Sequence, residues 1–380
     1  MLAASLFGLA LGEELWQAYM PAYLTALGAS GVVVGLFGSL RDLLDSLYQY
    51  PGGWLADRFG RRRALLTFTV IAMAGYATYA LAPGWPVVFL GLFGVMAWKS
   101  GAFPTTFAVI GDSLPKNRRA MAFSVQSILI RVPRVIGAPI GGLLIVATGT
   151  LAGIRISLAI TLAVALVVLA VQHYGFQEDD TAGVGRDTAG FRAVLAGMPP
   201  ALVRLLTAEC FIRIGEGIAT SFILLYVTGE GHVSASQFGV LYAIQQTVSI
   251  ASYLPGGRMA DLSGRRPIVA MTFVFFAAFP LAVRFATTYG WLVAAFVVGG
   301  LKEIGEPARK SLIVDLSPDD RRARTVGVYY AIRNMLVVPA GLVGGLLWQR
   351  APHLPLEAAC AVGAVGVVVF LLTPDRQAIR

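Results

Sequence analysis

Long apolar stretches recur along the whole chain, separated by short polar or basic segments. Twelve approach the ~20 residues that a helix needs to cross a bilayer. They cover roughly residues 2–26, 31–53, 64–82, 86–112, 119–148, 152–172, 203–228, 236–257, 267–287, 290–314, 323–348 and 354–373. Only helices and closed barrels satisfy their own backbone in lipid, and barrel strands need only ~9–11 residues. Stretches of this length therefore predict an all-α polytopic membrane protein with 12 transmembrane helices.

Composition agrees with that pattern. Of the 380 residues, 57% are hydrophobic and 13% charged, against about 25% charged in soluble domains. Net charge is +9, which taken alone would fit nucleic acid. The basic residues instead fall in short segments between apolar stretches, as topology signals do. Their expected partners are anionic lipid headgroups, with no nucleic acid. Cys210 and Cys360 lie far apart in apolar segments and read as small buried hydrophobes, without a disulfide or metal role. The first apolar stretch is too long for a cleavable signal peptide, so none is expected.

Lys and Arg set the predicted orientation. Arg58, Arg61, Arg62 and Arg63 follow span 2; Lys116, Arg118 and Arg119 follow span 4. Arg258, Arg265 and Arg266 follow span 8, Arg321, Arg322 and Arg324 follow span 10, and Arg376 and Arg380 close the chain. The opposite segments, around Gly28, Pro83, Gly149 and Gly231, carry neither residue type. Both termini are expected in the cytoplasm, in an inner (plasma) membrane. The only long polar connection, with Glu178-Asp179-Asp180 and Pro199-Pro200, lies between spans 6 and 7. It divides the chain into a six-helix bundle over 1–172, a cytoplasmic linker over 173–202, a second six-helix bundle over 203–373 and a cytoplasmic tail over 374–380.

The two bundles repeat each other at an offset of 203 or 204 residues. Pro51-Gly52-Gly53-Trp54-Leu55-Ala56-Asp57-Arg58 recurs as Pro255-Gly256-Gly257-Arg258-Met259-Ala260-Asp261-Leu262, and Gly60-Arg61-Arg62 as Gly264-Arg265-Arg266. Gly12-Glu13 recurs as Gly215-Glu216, Lys99 and Pro104 as Lys302 and Pro307, Asp112 as Asp315, and Gly141-Gly142 as Gly344-Gly345. With an even number of spans per copy, both copies enter the membrane from one side, giving two pseudosymmetric halves.

Gly53-x-Leu55-Ala56-Asp57-Arg58-x-Gly60-Arg61-Arg62 resembles the loop 2–3 signature of the major facilitator superfamily, and the copy at Gly257, Asp261, Gly264 and Arg265 is a looser version. The resemblance spans the whole chain, nearest in motifs to 12-helix proton-coupled antiporters. It implies the MFS fold and a cytoplasmic latch between the halves, Asp57 meeting span 11 near Arg324 and Asp261 meeting span 5 near Arg119. Physically, Gly53 permits close packing at the end of span 2, and Asp57 places an anion where it can cap a helix N-terminus. A plain positive-inside segment would account for the arginines but not for a repeated aspartate.

The ionisable residues at mid-span are the most informative. They are Glu13, Glu14, Arg41, Asp42, Asp45, Lys99, Arg131, Arg134, Glu209, Arg213, Glu216, Lys302, Glu303, Glu306, Arg309 and Arg333. Each would cost ~2.5–3.5 kcal/mol at a lipid-facing helix centre, so they must face the interior or water. Arg41 with Asp45, Glu209 with Arg213 and Lys302 with Glu306 stand four apart; Arg213 with Glu216 and Glu306 with Arg309 stand three apart. Those spacings bring side chains together on a helix, as structural or gating ion pairs or as substrate contacts. Glu13, Glu14, Lys99, Arg131 and Arg134 have no such partner on their own helix. They must pair between helices, change protonation state or bind something.

In the family fold, spans 1, 4, 7 and 10 line a central cavity. The resemblance thus places Glu13, Lys99, Glu216 and Lys302 around it in two pseudosymmetric acid–base pairs. Glu13 and Glu14 are the leading candidates for proton coupling, with Asp42, Asp45 and Glu216 behind them. Lys99, Arg131, Arg134, Arg213, Lys302, Glu306, Arg333 and Asn334 are candidates for the substrate cavity. Trp16, Tyr19, Tyr48, Trp98, Phe103, Tyr242, Tyr329 and Tyr330 would supply either aromatic walls or packing. Gly137-Ala138-Pro139-Ile140-Gly141-Gly142 partly resembles a Gly-Pro motif of the family's drug antiporters, one residue short; close helix packing with a proline kink explains it as well.

The function that follows is a secondary active transporter of a small polar, zwitterionic or amphipathic solute, driven by the proton gradient without a cofactor or metal, acting as a monomer and tilted towards export. A facilitator or solute–solute exchanger using the charges as gates is the alternative. An enzyme or receptor on this scaffold is disfavoured, since no nucleotide loop, metal-ligand cluster or nucleophile–His pair occurs; His173, His232 and His353 lie at span ends or in loops.

Overall fold

The computed structural model describes residues 2–59, 61–98, 116–175, 191–230, 233–318 and 322–372. These residues form helices and no strand. In chain order the helices are α1 (Leu2–Glu14), α2 (Met20–Ala26), α3 (Gly31–Phe59), α4 (Arg61–Leu81) and α5 (Trp85–Trp98). They continue with α6 (Lys116–Thr148), α7 (Thr150–Gly175), α8 (Phe191–Ala196), α9 (Pro200–Gly229), α10 (Ala235–Ser263) and α11 (Arg265–Arg284). The last are α12 (Tyr289–Leu301), α13 (Glu306–Leu316), α14 (Arg322–Val337), α15 (Ala340–Arg350) and α16 (Leu354–Leu371). Each of the twelve predicted spans contains described helix, and six segments are individually long and apolar enough to cross a membrane: Arg131–Thr148, Thr150–Tyr174, Pro200–Gly229, Arg265–Arg284, Thr325–Arg350 and Leu354–Leu371. Large apolar side chains such as Leu143, Leu166, Val167 and Leu371 stand exposed on them, as a lipid-facing surface requires.

Three spans depart from the continuous helices that the pattern predicts. Span 1 stops at Glu14 and resumes through a 3₁₀ turn (Gln17–Tyr19) into α2; span 10 stops at Leu301 and resumes at Glu306; span 11 stops at Val337 and resumes at Ala340. Each break comes just before a proline at or near the next helix start: Pro21, Pro307 and Pro339. Proline lacks the N–H that would continue the ladder, and its ring collides with the carbonyl four residues back. Tight bonds take up part of the freed backbone, as from Trp16 N to Glu13 O (3.2 Å) and from Ile304 N to Leu301 O (3.0 Å). Pro133, Pro139, Pro255 and Pro280 lie inside uninterrupted helices.

The chain divides into two compact units. The first comprises Met1–Ser30, Leu40–Arg186 and His232–Gln246; the second comprises Gly31–Ser39, Asp187–Gly231 and Thr247–Arg380. In the first, α1 and α4 pack on α7, and α6 packs on α1 and α7. In the second, α9 and α11 pack on α16, and α15 on α9. Small residues set the closest approaches. Gly35 meets the backbone of Gly341 and Gly345, and Ser39 Oγ accepts from Leu342 N (2.9 Å), capping the first turn of α15 that the Pro339 break leaves open.

Candidate functional site

In the first unit, the end of α1 places two acids. A side chain at Gly12 would crowd Thr161 of α7, so glycine lets the helices approach closely there. Thr161 Oγ1 donates to Gly12 O (2.7 Å) and accepts from Trp16 Nε1 (3.2 Å). Glu13, buried, accepts from the hydroxyl of Tyr76 on α4 at 2.5 Å. Trp16 stacks edge-on against both Tyr76 and Tyr79, and Tyr23 OH donates to Tyr79 O (2.7 Å). Glu14 pairs with Arg134 of α6 at 3.0 Å. Gly137 and Gly141, one and two turns further along α6, abut Glu14 and Leu15. The glycine-rich run in span 5 thus serves close packing against the end of α1. Arg131 donates to Gln246 of α10 (3.1 Å), and Arg41 pairs with Asp42 (3.2 Å).

The second unit repeats the backbone device with other chemistry. Gly215 closes α9 onto Ala359 of α16, and Glu216 follows it. Its carboxylate bridges Lys302 Nζ (2.6 Å) and Arg213 Nη1 (2.8 Å). Lys302 follows α12 directly, where a cation suits the helix dipole, and Glu306 opens α13, where an anion does. The break that presents them is clamped on two sides: Gly256 of α10 packs on Ile304 O, and Gly305 N donates to Thr272 Oγ1 of α11 (2.8 Å). Lys302 and Arg213 both lie over the Phe276 ring, at 4.8 and 5.0 Å from its centroid.

From there an ionic network runs inward. Arg213 reaches Glu306 and Glu209, each at 3.9 Å. Arg309 contacts both of those acids, and Arg333 donates to Glu209 (2.8 Å) and to Asn334 Oδ1 (3.0 Å). Tyr329 OH closes Glu209's remaining oxygen at 2.5 Å. Glu209 and Arg309 are 1% and 2% exposed, whereas Glu216 is 26% and Arg213 21% exposed. The Glu209–Arg309 centre is sealed, while Glu216 and Arg213 are partly open.

Several expectations are met in altered form. Lys302 does not pair with Glu306 four residues on, because the helix breaks between them; it turns to Glu216 on α9. Glu209 and Arg309, absent from the candidate site residues, form the buried hub. The polar spacing of Glu209 with Arg213 was the available signal, but it reads equally as a local pair. Trp16, Tyr19, Trp98 and Tyr329 are buried rather than lining an open wall. At the second signature, Gly257 has open space beside it, and the close contact belongs to Gly256. Gly264 takes φ +86° as the single residue between α10 and α11, a conformation that favours glycine. Arg265 then contacts Asp315 of α13, both partly exposed. At the first signature, Gly53, Asp57, Arg58 and Arg61 fall in helix, with side chains outside the described residues. Gly60, Lys99 and Phe103 and the side chains of Arg119, Asp261 and Arg324 also lie outside them.

Comparison with known proteins accords with this architecture. A family model described as Major Facilitator Superfamily matches twice, over residues 2–204 and 205–379. An uncharacterised MFS-type transporter of Methanocaldococcus jannaschii is 20% identical over 95% of this chain and 91% of its own length. A multi-drug resistance efflux pump PmrA homolog of Lactococcus lactis is 24% identical over 94% and 89%. Among solved structures, the nucleoside transporter NupG superposes with a TM-score of 0.79 at 13% identity, covering 98% of this chain and 99% of that one. A POT family transporter in complex with 5-aminolevulinic acid gives 0.75 at 14% identity, over 97% and 94%. The repeated halves, the interrupted helices and the doubled family match lead to one assignment: this multi-pass membrane chain belongs to the Major Facilitator Superfamily, a transporter and not an enzyme.

Proposed function

We propose that the protein is a proton-coupled secondary transporter that exports a small polar, zwitterionic or amphipathic solute by alternating access. It acts as a monomer in the inner membrane, with both termini in the cytoplasm and anionic headgroups against its basic segments. The halves are 1–172 and 203–373, joined by a linker over 173–202 and followed by a tail over 374–380. In this reading the two loop signatures latch the halves through Asp57 and Asp261.

The observation that carries the reading is the Glu13–Tyr76 hydrogen bond. A phenol can donate to a carboxylate and can equally accept from a carboxylic acid. The bond therefore survives both proton states of Glu13, which a coupling site needs. Lysine and arginine are cations that only donate, so the pairs at Glu14, Asp42 and Glu216 favour the carboxylate over the neutral acid. Glu13 is therefore preferred for coupling over Glu14, Asp42 and Glu216. Export is favoured because relatives along most or part of the chain are named as a multi-drug resistance efflux pump and a tetracycline resistance protein.

The test begins with a thermal-shift screen of metabolites, lipids and drugs, since binding to the folded state raises its stability. Hits are then followed in proteoliposomes under an imposed pH gradient. Accumulation of a hit against its own gradient, collapsing with a protonophore, is the expected result. Transport that is indifferent to the pH gradient, with intact counterflow, would instead establish a facilitator or exchanger.

A further inference from the structure

The open end of the second unit's ionic network has the form of an occupied anion site. Glu216 supplies a carboxylate that bridges two cations from different elements, Lys302 beyond α12 and Arg213 on α9, at 2.6 and 2.8 Å. Contacts other than Glu216 also place the cations. Both rest on the Phe276 ring, Lys302 also lies 5.7 Å from the Phe279 centroid, and Arg213 is held from behind by Glu209 and Glu306. The break carrying Lys302 is fixed by Gly256 and Thr272. A pair of cations spaced for one carboxylate therefore persists if that carboxylate leaves. Glu216 is 26% exposed within a membrane span, while the far end at Glu209 and Arg309 is closed. An exposed acid at that depth is tolerable only beside water or a bound solute, so this end admits a ligand.

We propose that Lys302 and Arg213 form a subsite for the carboxylate of a small amphipathic substrate, with Glu216 as its tethered occupant. Substrate binding exchanges one bridging carboxylate for another; the Glu216 side chain swings off the cation pair and the substrate's takes its place. The substrate class is thereby an amphipathic organic acid or a zwitterion bearing a carboxylate. The subsite rests on the reading of the chain as a small-solute transporter, but not on proton coupling.

The experiment measures equilibrium binding and thermal stabilisation of the full-length protein in nanodiscs. The probes are 1-naphthoate, dodecanoate and their methyl esters. The wild type is expected to bind an acid in preference to its ester. Glu216→Gln should tighten acid binding about tenfold and Lys302→Gln weaken it about tenfold, with the esters moving by less than about twofold. Lys302→Arg, which keeps the cation, should retain the acid preference and stands in if Lys302→Gln does not fold. Equal responses of acid and ester across these proteins, or no binding of either acid to the wild type and Glu216→Gln, would overturn the subsite. An acid preference that survives while gradient-driven transport is absent would refute coupling and leave the subsite standing.

Discussion

Glu13 and Glu216 occupy the same place in the two copies of the repeat, yet their surroundings differ. Both follow a glycine that closes the helix onto the last helix of its half, Gly12 on α7 and Gly215 on α16. Duplication has kept that backbone device. The partners have diverged. Tyr76, whose hydroxyl reaches Glu13, stands 203 residues before Phe279, which lies beneath Lys302. At the same offset, Arg213 corresponds to Ala10 and Glu209 to Leu6. The second unit has thus built an ionic network where the first has apolar residues. A repeated acid predicts where a carboxylate will sit; the residues facing it decide what the carboxylate can do.

The sharpest way to break that comparison is at the hub. Glu209→Ala removes the common partner of Arg309, Arg333 and Arg213 and leaves the buried Arg309 with Glu306 as its acid. Breaking such a buried pair costs about 3–5 kcal/mol, so the variant should lose most folded protein, read by thermal unfolding in detergent. Glu14→Ala in the first unit, whose partner Arg134 is 26% exposed, should cost clearly less. Comparable losses would mean that the first unit leans on its ion pair as heavily as the second does.

A smaller effect tests how the span 10 break is held. Gly256→Ala places a methyl against Ile304 O, while Gly257→Ala points into open space. The former should lower stability by about 1–3 kcal/mol, as overpacking does, and the latter should stay within about 0.5 kcal/mol. The reverse order would detach the signature from the positioning of Lys302. Smaller again, Ser39→Ala removes the cap on Leu342 N and should cost about 1 kcal/mol, read as a lower unfolding midpoint.

Much of the fold could be read from hydrophobic pattern alone, because lipid forces every span to satisfy its backbone by itself. Helix breaks could not. Pro21, Pro307 and Pro339 interrupt their spans, while Pro133, Pro139, Pro255 and Pro280 do not. Proline frees one carbonyl wherever it occurs; whether the helix then breaks depends on neighbours, such as Thr272 and Gly256 around Ile304 and Gly305, that are remote in sequence. The site divides in the same way. Glu13, Glu216 and Lys302 were visible as repeated intramembrane charges. Tyr76, Thr161 and Phe276 were not, since an aromatic or threonine in an apolar span reads as packing until its partner is known. Glu209 was hidden by a nearer explanation, its i,i+4 spacing to Arg213, which the structure shows as the longest of its ionic contacts at 3.9 Å.

The difference between the two acids is tested most directly by transport through Glu13→Gln in proteoliposomes, with an imposed pH gradient and with counterflow measured on the same preparation. Glutamine keeps the shape and can still accept from Tyr76, but it cannot exchange a proton. Counterflow should persist, while accumulation driven by the pH gradient falls to background. Gradient-driven accumulation at the wild-type rate would contradict the account, because proton coupling would then lie elsewhere than on the acid that Tyr76 holds.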